Sequence, residues 1–263
     1  MSIVLPLWLS APLALMLGAI VGSFLAVILI RWPKDESAIG GRSRCDRCGV
    51  RLTAAQLIPI LSFALQKGRC RKCGAPIDRR HIALELAAAG VALIAVMAHP
   101  LPLALVSALL GWWLLLIAAL DLEHHWLPDR LTLPLIPLGL IAAWIGFGPG
   151  VGDRAIGAVA GFTVLFVIAW MYRRLRGRDG MGGGDPVLLA AIGAWVGILQ
   201  LPYILLGAGL LGIAAVMLML MRGEAVTATS RLPLGTLMAI AAWPVWLIVA
   251  TTPMLSLWPC SGC

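Results

Sequence analysis

The strongest constraint on the fold of this chain is a series of apolar stretches, each about 18 residues long. An α-helix of that length can cross the ~30 Å hydrocarbon core of a bilayer. The composition agrees, because 61% of the residues are apolar and only 12% are charged, whereas about a quarter of a soluble domain is charged. The apolar runs are continuous, as in membrane helices, and do not alternate with polar residues. We therefore predict an all-α polytopic membrane protein.

Eight transmembrane helices are predicted from these stretches, of which the second and the sixth are short. They cover residues 9–30, 82–98, 102–120, 131–148, 155–172, 186–201, 203–221 and 233–250. Pro202 is taken as the break between the sixth and the seventh. The first stretch has neither a basic n-region nor an A-x-A-like site, so we expect it to be retained and not cleaved as a signal peptide.

The basic residues predict the orientation of the chain in the membrane. Twelve Lys and Arg lie between the first and second spans, and nineteen of the twenty fall on one side under the eight-span arrangement. Arg154 is alone on the other side. Lys and Arg mark the cytoplasmic face, so both termini are predicted to lie outside. We therefore interpret the formal net charge of +8 as a consequence of the orientation of the chain in the membrane. Nucleic acid is not a predicted partner, because no basic groove with interleaved aromatic residues accompanies it.

Residues 32–80 are the one connection long and polar enough to form a separate unit, between a first helix at 1–31 and a membrane core at 81–263. This segment contains two C-x-x-C motifs, which are formed by Cys45, Cys48, Cys70 and Cys73. Paired motifs of this kind are typical of a tetrahedral Cys₄ zinc site. A glycine follows each motif, where a backbone turn can aim amide groups at the sulfur atoms.

Two disulfides or a redox-active pair are alternative interpretations of these cysteines. The predicted cytoplasmic location argues against disulfides, and a redox site would need only one C-x-x-C motif. Structural zinc is therefore favoured, and the metal would supply much of the folding free energy of so small a unit. The remaining cysteines, Cys260 and Cys263, lie outside the membrane by the predicted topology, where a disulfide or no special role is expected.

Five acidic residues lie at or inside the boundary of a predicted span: Glu85, Asp121, Glu123, Asp129 and Asp185. Ionisable groups at such depth are functional-site hypotheses by default. Asp121 closes the third span and Asp185 opens the sixth, both at the cytoplasmic edge. Two carboxyl groups from different helices at one edge can meet and share a proton, so that one acts as general base for water.

The alternative is that the two aspartates are unrelated, with Asp185 serving only as a helix-start residue. Their matching depth favours the pair, and no other catalytic set is evident in the sequence. Gly182, Gly183 and Gly184 precede Asp185 and would let a backbone approach an extended peptide closely. His124 and His125 are adjacent and do not face each other on a helix. We therefore interpret them as part of a solvated connection between helices, and not as a metal site or a catalytic base.

These motifs together resemble the bacterial type IV prepilin peptidases over nearly the whole chain. The stretch "GSFLAVILIRWP" at 22–33 is similar to the end of that family's first span, and "LIPILSFALQKGRC" to the segment between its cysteine motifs. The stretches "DLEHHWLPDRLTLP" and "GMGGGD" resemble its two aspartate motifs. The second contains the G-x-G-D element that is also found in presenilin-like proteases.

The resemblance implies a membrane aspartyl endopeptidase that cleaves type IV prepilins or type II secretion pseudopilins after the leader's glycine. The cut would fall at the cytoplasmic face of the bacterial inner membrane, with both termini periplasmic and with Asp121 and Asp185 as the catalytic pair. It also implies N-methylation of the new N-terminus with S-adenosylmethionine, although no glycine-rich nucleotide motif identifies a methyl-donor site. A prepilin leader is basic and precedes an apolar helix in the bilayer, so Glu123, Asp129 and Gly182–Gly184 are the predicted substrate-binding residues.

Two other classes of function are compatible with parts of the pattern. A non-catalytic zinc-bearing scaffold of a pilus or secretion machine would keep the cysteines without needing Asp121 or Asp185. A transporter could use the acids as a proton relay, but transporters typically place such acids near the membrane midplane.

Overall fold

The computed structural model describes residues 6–38, 40, 43–45, 47–177, 180–224 and 232–251. The described chain is helical and contains no strand, its only β pairing being two isolated bridges. The predicted all-α fold is therefore confirmed. The helices are α1 (Leu7–Arg31), α2 (Leu61–Leu65), α3 (Arg79–Ala98), α4 (Leu103–His124), α5 (Asp129–Trp144), α6 (Val151–Arg176), α7 (Asp185–Val196), α8 (Leu201–Met221) and α9 (Leu234–Val249).

Each of the eight predicted spans overlaps one of the long helices, and α2 is the additional short one. Five helices in the described part of the chain are long and apolar enough to cross a membrane, namely α1, α3, α4, α6 and α8. Helices α7 and α9 are shorter apolar helices, and α5 has 16 residues with Pro134 and Pro137 inside it. The chain is thus an integral membrane protein.

The predicted break at Pro202 is wrong, because α7 already ends at Val196. Gly197 follows with a φ of 84°, a conformation that glycine adopts without steric cost. Asp153 also occupies the space that a side chain at position 197 would need. Pro202 instead lies in the first turn of α8, where the missing N–H removes no helical hydrogen bond.

The residues described fall into two compact units, one within residues 1–116 and one within 117–263. In the first unit, α1 and α3 touch backbone to backbone at Gly18 and Gly22. A Cβ atom at Gly18 would lie 2.7 Å from Cα of Ala89, and one at Gly22 would lie 2.7 Å from Cα of Glu85. Small residues four apart allow this approach, which is a common basis of helix association in membranes.

The second unit is built around α7, of whose 12 residues 11 are buried. Helix α6 contacts α7 through two glycines with the same spacing of four. A Cβ atom at Gly157 would lie 2.7 Å from the carbonyl oxygen of Gly193, and one at Gly161 would lie 2.5 Å from that of Leu189. Helices α5 and α9 also contact α7. The short helix that begins at Asp185 is therefore the core of this unit.

Arg154 lies in the first turn of α6 and is fully buried. Its Nη1 donates a 2.6 Å hydrogen bond to the carbonyl oxygen of Gly139, and its Nη2 donates to that of Phe147. The guanidinium group also lies over the ring of Trp246, 5.3 Å from the ring centroid. Arg154, the one basic residue predicted on the outer side, is thus buried inside the protein. Its contacts connect α6 to α5, to the segment that follows α5, and to α9.

Candidate active site and metal centre

The two C-x-x-C motifs adopt the same local structure in the first unit. The amides of Cys45 and Cys70 donate to the carbonyl oxygens five residues later, at 2.9 Å and 2.8 Å. The glycine after each motif donates back to the carbonyl oxygen of the first cysteine, at 2.8 Å and 2.9 Å. Both glycines have positive φ, 68° at Gly49 and 69° at Gly74. Two sequence-distant segments therefore form matching turns that each present a pair of thiols.

The four sulfur atoms of these turns come together in one cluster. One Sγ atom from each of Cys45, Cys48, Cys70 and Cys73 lies within 4.8 Å of all the others, and the Sγ atoms of Cys45 and Cys73 are 3.9 Å apart. A tetrahedral zinc ion with Zn–S bonds of ~2.3 Å would require S–S distances of about 3.8 Å, so the donor set fits the metal. Cys260 and Cys263 lie outside the described residues.

Backbone amides contribute to this cluster as well. Hydrogen bonds from the backbone of Cys73 and of Lys72 lower the pKa of the Cys70 thiol to about 6. A thiol must lose its proton to bind a metal. The turn around Cys70 is therefore arranged for a thiolate, which agrees with the amide donors that were expected from the glycine following the motif.

Asp121 lies in the last turns of α4 in the second unit and is only 5% exposed. Its Oδ2 accepts a 2.7 Å hydrogen bond from the backbone amide of Thr236, in the first turn of α9. The hydroxyl group of Thr236 is 3.2 Å from the same Oδ2 and donates to the carbonyl oxygen of Ala118 at 2.9 Å. The start of α9 thus holds the Asp121 carboxyl group in one orientation.

Asp185 is the first residue of α7 and is also 5% exposed. Its Oδ2 accepts a 3.0 Å hydrogen bond from the backbone amide of Gly182, so the side chain closes the glycine turn in front of the helix. Gly182 and Gly183 are exposed and Gly184 is half-buried. A Cβ atom at Gly183 would meet nothing within 4 Å, which leaves the backbone there open to a second chain.

Leu127, in the connection between α4 and α5, joins the surroundings of the two aspartates. A Cβ atom on Gly184, next to Asp185, would lie 2.7 Å from Cβ of Leu127. A Cβ atom on Gly235 would lie 2.9 Å from Cδ2 of Leu127 and 3.0 Å from Oδ2 of Asp121. The two carboxyl groups are also close enough to interact electrostatically. The structure therefore brings two buried acids from the ends of α4 and α7 into one neighbourhood.

The other acids predicted for this site are more exposed. Glu123 is exposed and lies 3.6 Å from Nε2 of His124. Asp129 is the first residue of α5 and is exposed. His124 and His125 are exposed too, in agreement with a solvated connection. Glu85, the fifth boundary acid, is buried in the first unit.

Thr236, Gly235 and Leu127 were not predicted from the sequence, although they contact the aspartate site. Thr236 lies 115 residues from Asp121, and no spacing rule connects the two positions. One local signal exists. A glycine followed by a polar residue at the start of an apolar helix occurs at Gly184–Asp185 and again at Gly235–Thr236. This pattern could have drawn attention to the start of α9.

Comparison with known proteins gives two matches to protein-family models that together extend along most of the chain. The bacterial peptidase A24 N-terminal domain matches residues 16–99, and the type IV leader peptidase family matches residues 108–217. The first match contains all four clustered cysteines, and the second contains both buried aspartates. No solved structure matches the chain significantly.

Three similar proteins illustrate the relationship, and each is named prepilin leader peptidase/N-methyltransferase. The protein of Dichelobacter nodosus is 40% identical over 206 residues, which cover 78% of this chain and 70% of the relative. That of Aeromonas salmonicida is 36% identical and covers 90% of both chains. That of Pseudomonas aeruginosa is 35% identical and covers 87% of both.

Proposed function

The chain belongs to the type IV leader peptidase family, and from this membership and its paired buried aspartates we propose that it is a membrane aspartyl endopeptidase. Its substrates are type IV prepilins or type II secretion pseudopilins, from which it removes the leader after the leader's glycine. The observation that carries the proposal is the pair Asp121 and Asp185, each 5% exposed, at two helix ends joined through Leu127. The scaffold alternative gives no reason to bury two acids together.

The chemistry follows from two carboxyl groups that share one proton. The ionised carboxylate takes a proton from a water molecule, whose oxygen attacks the carbonyl carbon of the scissile peptide bond. The protonated carboxyl group donates to the carbonyl oxygen as it gains negative charge. The C–N bond then breaks, and the leaving amine takes a proton from the first carboxyl group. Burial of both acids excludes bulk water and strengthens these interactions.

The leader's path is proposed from the glycine turn and the exposed acids. Gly182, Gly183 and Gly184 would pair with the extended leader, and the open space at Gly183 supports this. Glu123 and Asp129 would attract the basic leader residues. The substrate's apolar helix would stay in the bilayer, which places the cut at the cytoplasmic face of the inner membrane. Both termini are then periplasmic, as the nineteen basic residues on one predicted side suggest.

A second activity, N-methylation of the newly exposed residue, is part of the proposal because the relatives are named for both. S-adenosylmethionine would supply the methyl group from its sulfonium, which becomes a thioether while the amine nitrogen gains carbon and loses a proton.

We also propose that the chain is organised in three parts. Residues 1–31 contain the first membrane helix, residues 32–80 form a zinc-binding unit held by Cys45, Cys48, Cys70 and Cys73, and residues 81–263 contain the peptidase core.

The decisive experiment replaces each aspartate by asparagine in the full-length protein and measures leader removal from a prepilin. Asp121→Asn and Asp185→Asn should each abolish cleavage while membrane insertion and thermal stability stay unchanged. Asp35→Asn is the matched control, because Asp35 is exposed and lies in the other unit. Cleavage at the wild-type rate in either site variant would rule out the aspartate mechanism.

A further inference from the structure

Three large apolar side chains are exposed in and beside α2, the short helix between the two C-x-x-C motifs. They are Ile58, Leu61 and Leu65, which are 47%, 51% and 66% exposed; we call them the α2 apolar patch. Leu61 and Leu65 are four residues apart, which places them on one face of the helix. Single exposed apolar residues are normal on a protein surface, but a group of them marks a surface that another phase or molecule covers.

Other side chains of α2 face the interior of the first unit. Ser62 and Phe63 are half-buried and line a cavity of about 460 Å³. Ser23, Val27 and Ile30 of α1 line the same cavity, whereas no member of the α2 apolar patch does. These α1 residues belong to the apolar part of that helix, before its basic last residue. Helix α2 therefore lies beside the apolar end of a membrane-crossing helix and directs its leucines away from the cavity.

A hydrogen bond fixes the depth of α2 along α3. Oε2 of Glu85, which is only 6% exposed, accepts a 2.7 Å bond from the backbone amide of Ile60. Helix α3 has 20 residues and is about 30 Å long, the thickness of the hydrocarbon core, so its basic start at Arg79 marks the membrane boundary. Glu85 lies about 9 Å further along the helix axis, and its side chain tilts back toward Arg79. Ile60 therefore lies between these two levels.

Helix α1 gives the same depth independently. A Cβ atom at Gly22 would lie 2.7 Å from Cα of Glu85, so the two residues are level with each other. Gly22 precedes the end of α1 at Arg31 by about 13 Å, at a rise of 1.5 Å per residue, and every residue between them is uncharged. The start of α2 is thus level with the apolar parts of two membrane-crossing helices, and not beyond their ends.

Exposed basic residues follow the α2 apolar patch directly along the chain. They are Lys67, Arg69, Arg71 and Lys72. An apolar helix face accompanied by Lys and Arg is typical of a segment that lies in the membrane interface, with its apolar side about 5–10 Å into the boundary between headgroups and acyl chains. Basic residues next to such a segment are attracted to anionic headgroups. The charge of this segment therefore complements a lipid surface.

We propose that α2 is an interfacial membrane helix whose apolar patch is covered by the lipid of the adjacent leaflet. The basic residues that follow it bind anionic headgroups, and the cysteine cluster is held at the membrane surface because Cys70 comes five residues after Leu65. Lipid is favoured over another protein as the occupant because of the depth of α2, since the bilayer itself surrounds an outward face at that level. The inference does not depend on the peptidase chemistry of the aspartates.

The test measures which solvent reaches the α2 apolar patch. The fluorescent amino acid dansylalanine replaces Leu61 or Leu65 in the full-length protein, in phosphatidylglycerol nanodiscs that each hold one chain. Lipids brominated near the headgroup end of their acyl chains should quench both labels by about twofold or more, and aqueous iodide should have little effect. Glu36→dansylalanine is the control for water and should show the reverse, because Glu36 is exposed and follows the end of α1. Leu86→dansylalanine, at an exposed apolar position of α3, shows the response to lipid.

A charge within the patch provides a second measurement. Leu61→Asp, in the protein labelled at position 65, should increase quenching by iodide, because a carboxylate is costly on a lipid-covered face and draws α2 toward water. Leu61→Phe is the matched control and should leave the quenching unchanged. Both variants should keep the wild-type zinc content, which verifies that the cysteine cluster is still assembled.

Three results would overturn the proposal. Quenching of both patch labels by iodide and not by brominated lipid would place the patch in water. Protection from both quenchers in nanodiscs with one chain would mean that the protein itself covers the patch. Iodide quenching that disappears only when a prepilin is added would assign the patch to the substrate and not to lipid.

Discussion

The backbone amide of Thr236 donates a 2.7 Å hydrogen bond to Oδ2 of Asp121 from a position 115 residues further along the chain. The same residue's hydroxyl group donates to the carbonyl oxygen of Ala118, one turn before Asp121. Thr236 therefore connects the start of α9 to both the side chain and the backbone at the end of α4. Through these contacts α9 orients one of the two proposed catalytic acids.

The first prediction concerns this amide. Thr236→Pro removes the N–H donor at a position in the first helical turn, where proline is tolerated. A hydrogen bond to a charged group contributes about 1.5–3 kcal/mol, so kcat for leader cleavage should fall about 10- to 100-fold. Thr236→Val keeps the amide and should lower kcat by about tenfold at most. KM should change little in both variants, because Thr236 orients an acid and does not bind the leader.

Thr132→Val is the matched control for these two variants. Thr132 is fully buried in the same unit, and its hydroxyl oxygen has no hydrogen-bond partner in the described structure. Its removal should leave kcat unchanged and should not lower the thermal stability. Equal activity of Thr236→Pro and the wild type would show that the amide does not position Asp121.

The second prediction concerns the open backbone at Gly183. Gly183→Leu should block leader cleavage, because the new side chain would occupy the space through which the leader reaches the glycine turn. The chain has room for it, since a Cβ atom there meets nothing within 4 Å. Zinc content and thermal unfolding should therefore stay at the wild-type values. Rapid cleavage by Gly183→Leu would show that the substrate does not approach this backbone.

Gly184 requires a different interpretation, although it is one of the predicted substrate-binding residues. A Cβ atom at Gly184 would lie 2.7 Å from Cβ of Leu127, so even alanine displaces a neighbour. Gly184→Leu would lose activity through misplacement of Asp185 whether or not the substrate touches this position. We expect Gly184→Ala to lower the melting temperature, which distinguishes it from Gly183→Leu in a thermal unfolding assay.

The third prediction concerns the metal. Purified protein should contain about one zinc ion per chain, because four thiolates complete a tetrahedral site. Cys48→Ser and Cys73→Ser should each lower the zinc content and make residues 43–77 sensitive to proteolysis, since metal binding is coupled to folding in small units. Cys263→Ser should retain the zinc and serves as the control. Elemental analysis that finds no zinc, together with oxidised thiols at these four positions, would contradict the assignment.

The fourth prediction concerns the contact between α1 and α3. Gly18→Val should destabilise the protein by about 1–3 kcal/mol, because its side chain would meet the backbone of Ala88 and Ala89. Gly90→Val is the control, since a Cβ atom at Gly90 meets nothing within 4 Å. Thermal unfolding in detergent should separate the two. Equal melting temperatures would mean that the close approach of the helices does not contribute to stability.

The positions of the long helices could be predicted because each apolar run must satisfy its own backbone hydrogen bonds in a membrane. The end of α7 and the start of α8 could not. The apolar run across Gly197 and Pro202 is interrupted only by Gln200, and hydropathy alone does not say which residue ends the helix. That was decided by contacts between distant residues, since Asp153 fills the space that a side chain at position 197 would need.

The sequence by itself determined which groups are available for chemistry: four thiols in two C-x-x-C motifs, and aspartates at the ends of two apolar stretches. Local spacing is sufficient for this, because a C-x-x-C turn and a helix boundary depend on neighbouring residues. Only the tertiary structure decided what surrounds those groups. The amide of Thr236, the side chain of Leu127 and the cavity beside Glu85 each depend on contacts between residues far apart in the chain, and such contacts follow from helix packing and not from local sequence.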